Sequence, residues 1–443
     1  MKCGDVIRGV AMWLFLLLGI AALVSCGGDE DDVVSGELEA ESDSGDVDED
    51  EDAGSDEVDA ESVAGRTVII YISAENSLSS YAKDDLEEIL EGSYGLADSD
   101  HLVVYYDDSS STLPYIAEIR DGEAVVDSTY LFEEDVYSSD PEQMEGTLRH
   151  IMEAYEAESY GLVLWGHGSG WLIDNDSIAV ESYSKRRAYG VDNGRNSSTS
   201  NSGYWINIPT LAQVLGSLPE TFKFIMADCC QFQCVESLYE LRYVTEYMIG
   251  SPAEIPGAGA PYEVVVPLLF GTEEDFYVDI VDYYNTGSTL SSYGGEDFVT
   301  PLSVLSTAAV EDFATATANI LPELMDSDIS SSNLVYYHKL SGQKIMYDIL
   351  DLMIHYVAES EYYDAWKEAL EDVYVYGLYS NYWMSDGFVS FSPRTFSVTE
   401  LNYGGMSMFV PMSGYSKISP CPNTTIKQMA WYYAIGMDAF NEE

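Results

Sequence analysis

The sequence predicts an α/β protein built on a mostly parallel sheet with helices on both faces. Three observations carry this. Short runs of consecutive apolar residues recur, as strands buried on both faces require. Segments with helical spacing separate those runs. Hydrophobic residues make up 46% of the 443 residues, enough for a sizeable core.

Residues 67–72 read as a first buried strand. Helical spacing follows over 78–90, with Asn76 or Ser77 as a cap. Residues 102–106 form a second strand, and 116–130 alternate around Asp121-Gly122 as a hairpin does. Ser139-Asp140-Pro141 opens a helix running to about Ala157, and 161–165 is a third strand. The polar stretch 174–203 reads as a long loop. A short helix at 211–215 precedes a fourth strand at 222–226, and a helix at 235–242 precedes a fifth at 244–249. Further on, Met346, Ile349, Leu350, Met353 and Val357 suggest a helix over 340–357. Another helix is expected over 366–375, strands at 388–391 and 406–410, and a closing helix over 425–440. The core is therefore placed at 66–265 and a C-terminal α+β region at 266–443.

The N-terminus reads as an export signal. Lys2 and Arg8 precede an apolar run over 10–24 that is short for a membrane span. It closes on Leu23-Val24-Ser25-Cys26, which resembles the bacterial lipobox. That resemblance implies removal of 1–25, lipid on the Cys26 sulfur and a membrane anchor. Residues 26–65 then form an acidic tether: between Asp29 and Glu61 there are eighteen Asp or Glu, no Lys or Arg and no aromatic residue. Such a stretch cannot bury enough apolar surface to fold, and its charges extend it. An acidic run directly after a lipidated cysteine resembles the surface-export signals of outer-membrane lipoproteins. A formal charge of −60 would repel phosphates, so nucleic acid is discounted as a partner.

Six cysteines are present, and their positions are no disulfide framework: Cys229, Cys230 and Cys234 crowd together while Cys421 stands far away. The third strand runs into Trp165-Gly166-His167-Gly168-Ser169-Gly170, and the fourth into Asp228-Cys229-Cys230. Ligands in such sheets sit beyond the carboxyl ends of the strands. A histidine between glycines lets a substrate backbone approach, and Gly168 can offer its N–H to an oxyanion. A thiol between strand end and helix start has its anion favoured, and a nearby imidazole can take its proton. The competing reading makes His167 a structural histidine and the thiols inert core. Cys229 and Cys230 point to different sides and cannot share one role. The three thiols do not have the spacing of a zinc knuckle, and no metal ligand is assigned.

Both elements resemble the clostripain family of cysteine peptidases, which has a caspase-like fold. His167 in its glycine loop matches the family histidine. Asp228-Cys229-Cys230 matches an Asp-x-Cys turn, which selects Cys230 as the nucleophile. The stretches 235–241, 249–257 and 261–262 are also similar to the family, and the likeness is strong over about 160–262. It implies a Cys230–His167 dyad with the N–H groups of Cys230 and Gly168 as oxyanion hole. It further implies that Asp228 lines the pocket for a basic side chain, Arg above Lys. Self-cleavage at Lys185-Arg186-Arg187, in the long polar loop, is another implication. Calcium enters only because clostripain-like enzymes can need it, and no calcium loop stands out. The function expected is thus a surface lipoprotein endopeptidase acting on peptides or proteins. The alternative is a catalytically silent lipoprotein on the same scaffold that binds glycan or protein.

Overall fold

The computed structural model describes residues 64–110, 113–172, 188–194, 203–285, 299–384, 394–418 and 421–440. Cys26, residues 27–63 of the expected tether, Lys185-Arg186-Arg187 and the strand expected at 388–391 lie outside them, while Ala64 and Gly65, counted into the tether, belong to the first strand.

In chain order the first elements are β1 (Ala64–Ala74), α1 (Ser79–Gly92), β2 (His101–Asp108), β3 (Tyr115–Arg120), β4 (Glu123–Val126), α2 (Pro141–Ala154) and β5 (Ala157–Trp165). Next come β6 (Tyr189–Asp192), β7 (Tyr204–Ile206), α3 (Ile208–Gly216), β8 (Phe222–Asp228), α4 (Val235–Leu241), β9 (Thr245–Gly250), α5 (Tyr262–Leu268) and α6 (Phe276–Tyr284). The later part holds β10 (Leu302–Ser306), α7 (Val310–Asp326), β11 (Tyr336–Leu340), β12 (Gln343–Asp348), α8 (Ile349–Val357), α9 (Tyr363–Val373) and β13 (Tyr374–Leu378). The short pieces β14 (Tyr382–Trp383), β15 (Arg394–Thr395), β16 (Ser407–Met408), α10 (Pro422–Thr425) and α11 (Ala430–Ala434) follow.

Nine strands form one sheet in the order β13-β10-β9-β8-β5-β1-β2-β3-β4. The five in the middle run parallel, and the two at each edge are antiparallel. Successive side chains of β1 go to opposite sides. Ile69 and Tyr71 join one core with Leu148 of α2, Leu211 of α3 and Leu238 of α4. Val68, Ile70 and Ile72 join a second core with Ile89 of α1, Val265 of α5 and Ile280 of α6. Helices thus cover both faces of a caspase-like α/β sheet, as expected.

The Asp121-Gly122 hairpin is present, with φ of 49° and 78° at its two turn residues. Asp140 caps α2 by accepting a hydrogen bond from Gln143 N at 3.0 Å. Four expectations need correction. The helix expected over 340–357 is a hairpin, β11–β12, followed by the shorter α8. Ser341 and Gly342 turn the chain at φ 51° and 80°, which a helix cannot continue through. The real helix start is Asp348, whose side chain accepts from Leu350 N and Asp351 N. The closing helix over 425–440 is broken into short turns, because Met429 is extended and Gly436 is left-handed at φ 71°. The strand expected at 406–410 is reduced to β16, paired to β12. Finally, the long polar loop carries a small ribbon, β6 paired with β7.

The 266–443 region is woven into the same sheet. β10 pairs with β9 and β13 with β10, so residues on both sides of position 265 share one layer.

Candidate active site

The geometry starts from the pairing of β5 with β8. They are parallel neighbours, with Trp165 opposite Asp228. His167 lies two residues beyond that rung on one strand, and Cys230 two residues beyond it on the other. The sequence therefore brings the imidazole loop and the thiol turn to the same end of adjacent strands.

The histidine loop is held from two sides. His167 is buried, and its Nε2 lies 2.9 Å from Ser77 Oγ, in the segment between β1 and α1. Its carbonyl accepts from Gly190 N of β6 at 2.9 Å, and Ser169 N donates to Ala188 O at 2.9 Å. Gly166 has φ 149°, and a Cβ there would sit 2.9 Å from the Ser73 carbonyl. Gly168 is packed on the thiol turn: a Cβ would lie 2.5 Å from Cys230 O and 2.9 Å from Cys229 Sγ. Only glycine lets the two loops touch.

The thiol turn is held by the segment after β9. Gln231 adopts φ 53° and donates its N–H to Ala253 O at 2.8 Å, while Gln233 N donates to Ser251 O at 3.1 Å. Cys230 is 8% exposed, the most open of the three clustered thiols, whereas Cys229 and Cys234 are sealed in the core at 0%. Cys230 Sγ accepts from Ile255 N at 3.4 Å and faces Ile255 O at 3.9 Å. The imidazole is not among its hydrogen-bond partners. Burial, then Glu254, pushes this thiol up to about 12, so it is neutral as it stands. Cys234 sits against Ser237 Oγ at 3.0 Å and is likewise pushed up to about 12 by burial. Among the described residues, neither Gly168 N–H nor Cys230 N–H is spent on another acceptor.

Asp228 is buried beneath the thiol. Its Oδ2 accepts from Ala260 N at 3.0 Å and Tyr262 OH at 2.9 Å, and its Oδ1 from Tyr284 OH at 2.7 Å. Gly259 is left-handed at φ 58°, and a Cβ there would come within 2.6 Å of Asp228 Oδ2. Burial raises the Asp228 pKa, while these three donors oppose the shift. A second carboxyl, Asp85 of α1, accepts from Trp165 Nε1 at 2.6 Å. Burial and the charge of Asp228 raise it to about 9.

The sequence singled out His167, Gly168, Asp228 and Cys230, and the fold gathers all four at one sheet end. It did not single out Ser77, Ile255, Tyr262, Tyr284 or Asp85. Asn76 or Ser77 was expected as a helix cap. Asn76 Oδ1 takes Leu78 N at 2.8 Å, which leaves the Ser77 hydroxyl for the histidine. The usable signal was position, since Ser77 directly follows the first buried strand at its carboxyl end.

The family model described as Clostripain family matches residues 70–406. Among solved structures, the chain resembles a secreted C11 cysteine protease from Bacteroides thetaiotaomicron, in complex with an irreversible peptide inhibitor, at 28% identity and TM-score 0.69. That match covers 85% of this chain and 100% of the other. An inactive zymogen C11 protease from Parabacteroides distasonis is 26% identical with TM-score 0.66, covering 84% of this chain and 98% of the other. No curated protein matches the chain. Among the described residues, no helix is long and apolar enough to cross a membrane.

Proposed function

The chain belongs to the clostripain family of cysteine peptidases, and on that premise we propose that Cys230 attacks the scissile carbonyl while His167 takes its proton. The observation that supports this is the β5–β8 rung of Trp165 opposite Asp228, from which His167 and Cys230 are each two residues on. The attack forms a thioester through a tetrahedral oxyanion, and His167 returns the proton to the leaving amine. The two uncommitted N–H groups, Gly168 and Cys230, serve as the oxyanion hole for that charge.

The thiol described here is at rest, parked on Ile255. Catalytic hydrogen bonds often tighten only when substrate arrives. A small rotation of the Cys230 side chain and release of His167 from Ser77 close the dyad.

The substrate is a peptide or protein cut internally after Arg or Lys. The support is electrostatic: Asp85 and Asp228 are both buried, and the charge of Asp228 adds to the cost of ionising Asp85. An arriving guanidinium relieves that cost and pairs with a carboxylate in two hydrogen bonds. It has to share Asp228 with Tyr262 and Tyr284, which favours long side chains with several donors. The sequence of the first 65 residues supports export, a lipid on Cys26 and display at the cell surface. Processing at Lys185-Arg186-Arg187 belongs to the same reading.

The test is turnover of Arg-, Lys- and norleucine-terminated fluorogenic peptides by the full chain under reducing conditions. Cys230→Ala is expected to lower kcat/KM by on the order of 10⁴-fold and to leave the chain uncut on a gel. Cys229→Ala keeps activity within a few-fold. Equal loss in both variants, or norleucine cleaved as well as arginine, sinks the nucleophile or the basic preference respectively.

A further inference from the structure

At the end of the sheet opposite Cys230 lies a cavity of about 440 Å³, within the roughly 300–1,000 Å³ span of small-molecule sites. It opens where β8 and β9 start and β10 ends, and Thr221, Arg242, Tyr243, Glu246, Ser306 and Thr307 line it. β8 and β9 run parallel, with Phe222 opposite Thr245. The cavity therefore sits before these strands, while Cys230 lies beyond the far end of β8. The seven residues of β8 separate the two places, about 20 Å along the strand.

The cavity is built around one held guanidinium. Arg242 Nε donates to Glu311 Oε1 at 2.6 Å, and Nη1 donates to Tyr239 O. The Arg242 Cζ lies 3.8 Å from the Tyr239 ring centre and 4.1 Å from the Tyr243 ring centre. A guanidinium carries five N–H donors, so donors remain for a ligand. The ion pair by itself only ties the end of α4 to the start of α7, and that would assign nothing. A second observation goes further. Tyr243 is 70% exposed, yet its ring is pinned by the guanidinium and by its hydroxyl, which donates to Glu311 Oε1 at 2.8 Å. An aromatic ring fixed while facing solvent has already given up the rotamer freedom that binding would otherwise cost.

We propose that this cavity binds a neutral saccharide unit, with the Tyr243 ring as its stacking platform. The charges decide against an ion. Lys223 Nζ pairs with Glu246 Oε2 at 2.6 Å, as Arg242 pairs with Glu311, so cations and carboxylates around the cavity balance. An anionic ligand meets Glu246, and a cationic one meets Arg242. A hydroxylated ring suits both, because its O–H groups donate to a carboxylate and accept from a guanidinium, and an ionised partner strengthens each bond. Ser306 Oγ accepts from Ala308 N at 3.3 Å and keeps its own proton to donate. The electron-rich face of an aromatic ring attracts the C–H face of a sugar. An apolar ligand would instead leave these polar groups without partners. The binding claim stands apart from the peptidase reading, because its readouts need no turnover.

The probes are the methyl glycosides of glucose, galactose and mannose, each added to the full chain, with N-acetylneuraminic acid as an anionic counterpart. Saturation transfer from protein to ligand protons in NMR reads binding, and titration gives Kd. At least one neutral glycoside is expected to receive saturation. Its affinity falls about tenfold in Tyr243→Ala and similarly in Arg242→Gln, while Tyr243→Phe, which keeps the ring, holds it within a few-fold. Tyr243 is exposed, so its removal tests the site even where Arg242→Gln folds poorly. No transfer to any of the neutral glycosides overturns the proposal. Transfer that is unchanged in Tyr243→Ala overturns the site. N-acetylneuraminic acid binding more tightly than every neutral glycoside overturns the ligand class.

Discussion

The histidine loop after β5 and the thiol turn after β8 end neighbouring strands, yet they are held in different ways. The histidine side is gripped by hydrogen bonds from other segments, Ser77 to the ring and Gly190 to the carbonyl. The thiol side is gripped by what lies beneath it: Asp228 is satisfied by Ala260, Tyr262 and Tyr284, and the sulfur rests on Ile255. The difference teaches where readiness is lacking. The imidazole is placed and polar-contacted, whereas the thiol is neutral and pushed up to about 12. On the proposed reading, closing the dyad moves the sulfur away from Ile255 and frees the ring from Ser77.

The largest break in this comparison is on the histidine side. His167→Ala is expected to lower kcat by about 10²–10⁴-fold, the span of general acid–base catalysis. Ser77→Ala, which removes the ring's hydroxyl contact, changes kcat a few-fold. Comparable losses in both would make Ser77 part of the chemistry and undo the distinction.

On the thiol side the expected damage is to stability. Asp228→Asn replaces an acceptor of three hydrogen bonds with a group that can accept fewer and adds a buried N–H₂. A loss of about 1–3 kcal/mol is expected, read as a lower midpoint in urea. An unchanged midpoint would show that the Tyr262 and Tyr284 hydroxyls do not support the turn.

The smallest effect concerns pH. Asp85 has its pKa raised from 3.8 to about 9 in the folded chain. A group raised on folding contributes stability below its unfolded pKa and loses it as pH climbs through the folded one. The parent's Tm should therefore fall between about pH 5 and 9, and Asp85→Asn should flatten that slope. Identical slopes would place the carboxyl in a wetter environment than beneath Trp165.

Much of this was legible along the chain, but unevenly. The parallel strands were readable because both faces are buried, which forces uninterrupted apolar runs such as 68–72 and 162–165. Past residue 266 the code is weaker. Met346, Ile349 and Leu350 satisfy helical spacing and also the alternation of a strand that turns into a helix. The deciding signals were local, Ser341-Gly342 for the hairpin and Asp348 for the cap. In the last segment Gly436 outweighed an apolar pattern that spanned it.

The sequence by itself determined the sheet's central strands, the two strand-end loops and the residue types that carry the chemistry, since local periodicity and glycine turns encode those directly. Only the tertiary structure decided which strands are neighbours and what surrounds each group. Contacts such as Ser77 with His167 or Tyr284 with Asp228 join segments tens of residues apart. Burial is what turns ordinary carboxyls and thiols there into shifted ones. Solvation is a property of the packed whole, so no window of sequence contains it.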